Sequence, residues 1–166
     1  MEKGNEYLEK LVHINRITKV VKGGRRFGFS ALVVVGNQNG KIGIAHAKAK
    51  QVPDAIKKAN DLAKRSMIQI PLKEGRTIHH DSLGKDGAGK IKLRSAPKGT
   101  GIIAGGPIRA VCEVLGIKDI VAKSMGTANP HNVIRACLKA LRNQHSPKHI
   151  SLIRSKKISE IIEKRG

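Results

Sequence analysis

The chain has 166 residues, with 33 lysines and arginines against 12 aspartates and glutamates, a formal net charge of +21 and a pI of about 10.5. That excess exceeds what solubility needs and predicts attraction to a polyanion. No apolar run approaches the ~20 residues of a spanning helix and neither end carries a lipidation signal, so no membrane partner is expected.

The first ten residues, MEKGNEYLEK, hold three acids and no apolar run. They read as neither a signal nor a transit peptide, which predicts the cytoplasm, or an organelle with its own genome. Two cysteines are too few for a disulfide framework, and both Cys112 and Cys137 fall on apolar helical stripes, the pattern of reduced core thiols. Tyr7, Phe27 and Phe29 are the only aromatic residues. Platforms that read single-stranded RNA stack bases on several aromatics, so the charge here is expected to act on phosphates, through shape and position.

In chain order, residues 8–22 carry strand character, with Val12 and Ile14 alternating with His13 and Asn15. A basic glycine-rich stretch, KVVKGGRRFG, leads into FGFSALVVVG, where Phe27, Phe29, Ala31, Val33 and Val35 share one face at period two. GNQNG signals a hairpin, with Asn39-Gly40 supplying positive φ, and KIGIAHAKAK returns as its partner strand. At Val52-Pro53-Asp54 the period becomes helical, with an apolar stripe of Val52, Ile56, Ala59, Ala63 and Met67. The first unit thus reads as three strands and a helix, over residues 1–70.

A second unit is predicted over 71–150. QIPLKEGRTI reads as a strand turning at Glu74-Gly75, and SLGKDGAGKIKLRSAP as a glycine-rich loop followed by a strand through Ile91 and Leu93. Pro107 opens a helix with Ile108, Val111, Cys112 and Leu115 on one stripe and Gly116 as its cap. IKDIVAKSMG is a further strand. Asn129 caps a helix with Pro130 in its first position and Val133, Ile134, Cys137, Leu138 and Leu141 as its stripe. The tail, 151–166, is basic with a short apolar set at Ile158, Ile161 and Ile162, too small to bury much by itself.

Two glycine-rich segments invite a phosphate. A nucleotide P-loop needs Gly-Lys-Ser/Thr where a strand turns into a helix. Gly23-Gly24 is followed by Arg25-Arg26 and then a strand, so no helix opens there and no hydroxyl is placed for magnesium. What remains is a hairpin tip projecting Lys19, Lys22, Arg25 and Arg26, whose glycines permit close approach to a polyanion. In KGTGIIAGGP, Gly99-x-Gly101-x-x-Ala104 formally fits a dinucleotide fingerprint with Asp119 downstream. The context fails: the strand before it alternates with cations, and Asp119 precedes its strand rather than following it. A backbone N–H cluster at Gly99 and Gly101 receiving an RNA phosphate, with Lys98 beside it, fits better.

Other clusters carry less. Adjacent strand histidines His79 and His80 would point to opposite faces, and Pro147 interrupts any helix joining His145 to His149, so no metal site is expected. No paired carboxylates or nucleophile–base set indicates catalysis, and no cofactor is expected. Lys57, Lys58, Lys64 and Arg65 line the polar side of the first helix as further RNA contacts, although Asp54–Lys58 and Asp61–Arg65 have the spacing of ion pairs on a solvated face.

VKGGRRFGFSALVVVGNQNGKIG with VPDAIKKA, and GTGIIAGGPIRAVCEVLGIKDIVAKSMGTANPHNVIRA, resemble the bacterial-type small-subunit ribosomal protein S-five family from about Leu8 to His149. The resemblance implies an α+β fold: a double-stranded-RNA-binding-like N-terminal domain of three strands and a helix, then a C-terminal split β-α-β type domain. It also implies a structural place in the small ribosomal subunit, bound to its ribosomal RNA, with neighbours resembling proteins S-four and S-eight. The loop matching Thr18 to Phe27 would reach RNA near the head–body junction and the spectinomycin site. The second glycine-rich segment would lie close to the S-four-like neighbour, at a boundary linked to decoding accuracy. The resemblance further implies a part in lining the channel by which messenger RNA enters. The sequence departs from the family where Ala45 and Ala47 replace glycines and where Gln51 replaces an acid. The second domain's fold is shared with some small-molecule kinases, and residues 97–106 faintly echo their phosphate loop. Fold kinship does not carry activity, and a non-enzymatic RNA-binding protein is expected.

Overall fold

The computed structural model describes residues 7–163. Residues 1–6, part of the stretch read for targeting signals, and 164–166, the end of the basic tail, lie outside it.

Two four-stranded sheets carry the fold. The first runs in the order β1 (Leu8–Val21), β2 (Gly24–Gly36), β3 (Lys41–Ala49), β4 (Ile68–Gln69), each antiparallel to its neighbour. Helix α1 (Val52–Arg65) covers one face, where Ala31, Val33, Val35 and Ala47 meet Ala55, Ala59 and Ala63. Small side chains let the helix sit close: a Cβ on Gly43 would come within 2.0 Å of the Ala63 carbonyl oxygen.

The second sheet has the order β5 (Ser82–Asp86), β6 (Gly89–Ser95), β8 (Ile120–Met125), β7 (Ile102–Ile103). Only the β7–β8 pair is parallel, joined through helix α2 (Gly106–Leu115). Helix α3 (Pro130–Arg142) packs on β5, β6 and α2, and short helices α4 (Pro147–Arg154) and α5 (Ile158–Glu163) follow. The mixed α+β class and the two-part plan match the expectation.

One apolar cluster joins the parts. Leu32, Val34 and Ile42, on the first sheet's other face, pack with Ile91, Leu93, Val111, Val114, Leu115 and Ile134 of the second unit. Residues 31–35 are therefore buried on both faces, although antiparallel strands commonly leave one face wet. The turn between β2 and β3 docks on the end of α2, with the Gln38 and Gly40 amides donating to the Val114 and Leu115 carbonyls at 3.1 Å each. Those carbonyls lack partners within their own helix.

Several expectations change. The positive φ values of the β2–β3 turn fall on Gln38 and Gly40 rather than on Asn39, because the Asn37 side chain accepts from the Asn39 and Lys41 amides and closes the turn itself. Of QIPLKEGRTI only Gln69 is in a strand, the two-residue β4 that it forms with the preceding Ile68 and that extends the first sheet; the rest is irregular apart from a Lys73–Thr77 bridge around the predicted turn at Glu74-Gly75. The predicted glycine-rich loop at Ser82–Asp86 is strand β5, because Gly84 lies under α3, where a Cβ would be 2.1 Å from the Ala136 oxygen. The α1 stripe centres on Ala55, Ala59 and Ala63, with Ala55 absent from the predicted set and the helix ending before Met67.

Candidate nucleic-acid interface

Strands β1 and β2 extend beyond the packed core as a two-stranded finger. Pairing continues to Val21 opposite Gly24, with Lys22 and Gly23 as the tip. Lys19, Lys22, Gly23, Gly24, Arg25 and Arg26 are all exposed, and Val20 is 77% exposed. Lys19 stands directly opposite Arg26, so two like charges share one face of the ladder. Such pairs destabilise a hairpin unless an anion lies between them. Arg25 alternates to the other face with Phe27, where the Arg16 guanidinium carbon lies 4.2 Å from the Phe27 ring centroid. No acidic residue occurs between Glu9 and Asp54. Among the described residues none of the four tip cations has an ion-pair partner. Gly24, with φ of 129°, needs glycine for its backbone, whereas a Cβ on Gly23 would meet open space.

The second glycine-rich segment is organised inward. The Gly99 and Gly101 amides both donate to Asp119 Oδ1 at 3.0 Å, and Arg76 donates to Oδ2 through Nε at 3.1 Å and Nη2 at 2.8 Å. Asp119 is buried. The Gly101 amide and then the Arg76 guanidinium hold its carboxyl below the usual carboxylate range, with the Gly99 amide adding to them and desolvation opposing. The expected backbone cluster at Gly99 and Gly101 is thus corrected: its N–H groups are already satisfied by an internal carboxylate. Lys98 remains exposed beside it. These two amides are therefore not available to a nucleotide phosphate.

On α1, Lys57, Lys58, Lys64 and Arg65 are exposed. Neither predicted pair, Asp54–Lys58 or Asp61–Arg65, closes among the described residues, as solvated surface pairs gain little. Lys64 instead reaches Glu9 of β1 at 2.7 Å, and that hydrogen bond raises its pKa. The structure therefore separates Lys64, already neutralised, from Lys57, Lys58 and Arg65.

The histidine expectation is corrected in its geometry. His79 and His80 lie in a bend, not a strand. His80 Nε2 accepts from the His145 amide at 3.0 Å, and the His145 and His149 rings stack with centroids 5.6 Å apart. Among the described residues no group of three or more histidines, cysteines or acids is arranged to hold a metal. Cys112 and Cys137 are free and buried; burial pushes the Cys112 thiol up to about 12 and raises Cys137 well above its ordinary value.

Three linkages escaped the sequence reading. Asp119 was visible downstream of the glycines, but its amide partners require the loop to fold back. Arg76, its cation, is 43 residues away in the chain. Lys10 of β1 pairs with Glu113 of α2, which Arg109 also holds at 2.9 Å, a contact across the two units that no local period signals.

Comparison with known proteins decides the kinship. Family models described as ribosomal protein S5, N-terminal domain and C-terminal domain, match residues 7–71 and 84–154. The chain belongs to the ribosomal protein S5 family. It is 81% identical over 165 residues to the small ribosomal subunit protein uS5 of Pelagibacter ubique, spanning 99% of this chain and 97% of that one. The uS5 proteins of Xanthobacter autotrophicus and Methylobacterium radiotolerans are 58% and 57% identical over 164 residues, spanning 99% of this chain and 89% and 84% of theirs. The N-terminal S5 match covers the first sheet, α1 and the finger; the C-terminal match runs from β5 into α4. The alanines noted as departures are accommodated: Ala47 is buried against the α1 alanines, and Ala45 packs at the margin of the same cluster.

Proposed function

We propose that the chain is a non-enzymatic structural constituent of the small subunit of a cytoplasmic ribosome, holding ribosomal RNA by phosphate neutralisation. The observation that carries this reading is the finger: six exposed residues, Lys19, Lys22, Gly23, Gly24, Arg25 and Arg26, with cations opposed across the ladder and, among the described residues, no acid paired with them. Membership of the S5 family supports it. No helix among the described residues is long and apolar enough to cross a membrane.

Lys98, with the loop at Gly99 and Gly101, forms a secondary contact through its side chain rather than through the loop's backbone amides. Lys57, Lys58 and Arg65 add solvated cations, and Lys64 less. Family kinship supports the finer placement: the finger near the head–body junction, neighbours of the S-four and S-eight kind, a share in the channel that messenger RNA enters, and an influence on decoding accuracy.

The test is titration of small-subunit ribosomal RNA across a salt series. Removing one phosphate-binding cation lowers the slope of log affinity against log salt by about 0.7 to 0.9. Arg25→Ala with Arg26→Ala is expected to lower that slope by roughly 1.5 and to weaken binding at every salt concentration. An unchanged slope and affinity would remove the finger from the interface.

A further inference from the structure

The inward face of the second sheet is apolar and covered by α3, and its strands alternate strictly. Ser82, Gly84, Gly89, Ile91, Leu93, Ile120 and Ala122 are buried or point inward, and the residues between them face solvent. Pairing between strands sets what that outer face presents. Lys85 stands opposite Lys90 across β5–β6, and Lys92 stands opposite Lys123 across β6–β8, with Arg94 next along β6. All five cations are exposed. Among the described residues only Arg94 of these five has an acid, Asp81, at 3.2 Å, and the four lysines have no ion-pair partner.

Side chains directly opposite in an antiparallel pair have their Cβ atoms about 5 Å apart, and alternate residues along a strand lie about 7 Å apart. Two like-charged pairs at that spacing cost stability in the isolated fold. A surface kept for solubility alone intersperses both signs; this one does not.

We infer that the outer face of the β5–β6–β8 sheet is a second phosphate-binding surface, on which RNA backbone lies across the lysine pairs Lys85–Lys90 and Lys92–Lys123. The inference rests on the reading of the chain as an RNA-binding constituent and adds a site separate from the finger and the loop at Lys98. The chemistry favours nucleic acid over an acidic protein. Protein interfaces are depleted in lysine and anchored by aromatic residues, whereas this face is lined by lysine and carries no aromatic side chain. Phosphate neutralisation needs only closely spaced, solvated cations on a rigid support. The exposed Leu83 and Met125 beside them give ribose and base edges an apolar surface to lie on.

The test uses the full chain carrying Lys90→Thr, Lys92→Thr and Lys123→Thr, substitutions that keep strand propensity. Against small-subunit ribosomal RNA, the salt slope should fall by about two to three and the affinity near physiological salt by on the order of tenfold or more. A second measurement needs no variant: bound RNA should slow acylation of Lys85, Lys90, Lys92 and Lys123 in the natural protein, read by mass spectrometry. Wild-type slope and affinity in the triple variant, or unaltered acylation under RNA, overturn the inference. So does an effect confined to binding of polyglutamate. Failure of the natural protein itself to bind the RNA in a salt-dependent way would instead count against the RNA-binding reading on which the inference rests.

Discussion

Asp119 accepts from two glycine amides with one carboxylate oxygen and from Arg76 with the other, so one buried side chain fixes the loop before β7 and ties it to the Lys73–Thr77 turn. Its folded pKa lies below its unfolded one. The stability it contributes is therefore complete above the unfolded value, near pH 4, and is lost as pH falls through the folded value. Asp119→Asn retains an acceptor for the amides but turns an NH2 toward the guanidinium. Thermal melts from pH 3 to 7 should show a lower midpoint for this variant at neutral pH and a shallower decline on the acid side. At this scale the sequence was legible wherever a residue's job is local. Asn129 caps α3 by accepting from the His131 amide, and Gly116 ends α2 in the left-handed region, both as expected. Asp119 was not legible, since its donors and its cation meet it only after three separate segments converge.

Helix ends and long alternating strands were the readable elements, because caps, prolines and period two are written in consecutive residues. Strand β5 was missed: a strand holding Gly84 and followed by Asp86-Gly87 has the composition of a loop, and only the helix lying on it explains the glycine. The lysine ladder was half legible. Lys90, Lys92 and Arg94 alternate visibly, but register with Lys85 and Lys123 is a property of pairing. The contact between the β2–β3 turn and the end of α2 belongs to the same class. There the requirement is severe: Gly116 has φ of 91°, and a Cβ would lie 2.0 Å from the Gln38 carbonyl oxygen. Gly116→Ala is expected to cost about 3 kcal/mol through backbone strain and displacement of the turn. In a chain of this size that corresponds to a fall of roughly 6–12 °C in melting temperature, which differential scanning calorimetry would measure. Strands β1 and β2 beyond the core lack such neighbours: a Cβ on Gly23 or Gly24 would meet nothing within 4 Å.

For the molecule as a whole, two family-defined units share one apolar cluster running from Leu32 to Leu141. The composition of residues 31–35 hinted at this, since five consecutive apolar residues exceed what one wet-faced sheet needs, yet period two alone assigned only the odd positions. The full chain is expected to unfold in urea as a single transition seen identically by circular dichroism and by a probe on α3. A fragment of residues 7–71 should bind a hydrophobic dye and lack a sharp transition, because Leu32, Val34 and Ile42 would face water. Two separate transitions in the full chain would contradict this. The shared cluster also has a consequence in time. During synthesis the first sheet emerges with one face unclothed and must wait for α3. At about 5–20 residues per second, the roughly seventy intervening residues take on the order of 4–14 s. Throughout that interval the nascent chain already displays its acid-free basic finger, so a polyanion can reach it before its core has closed.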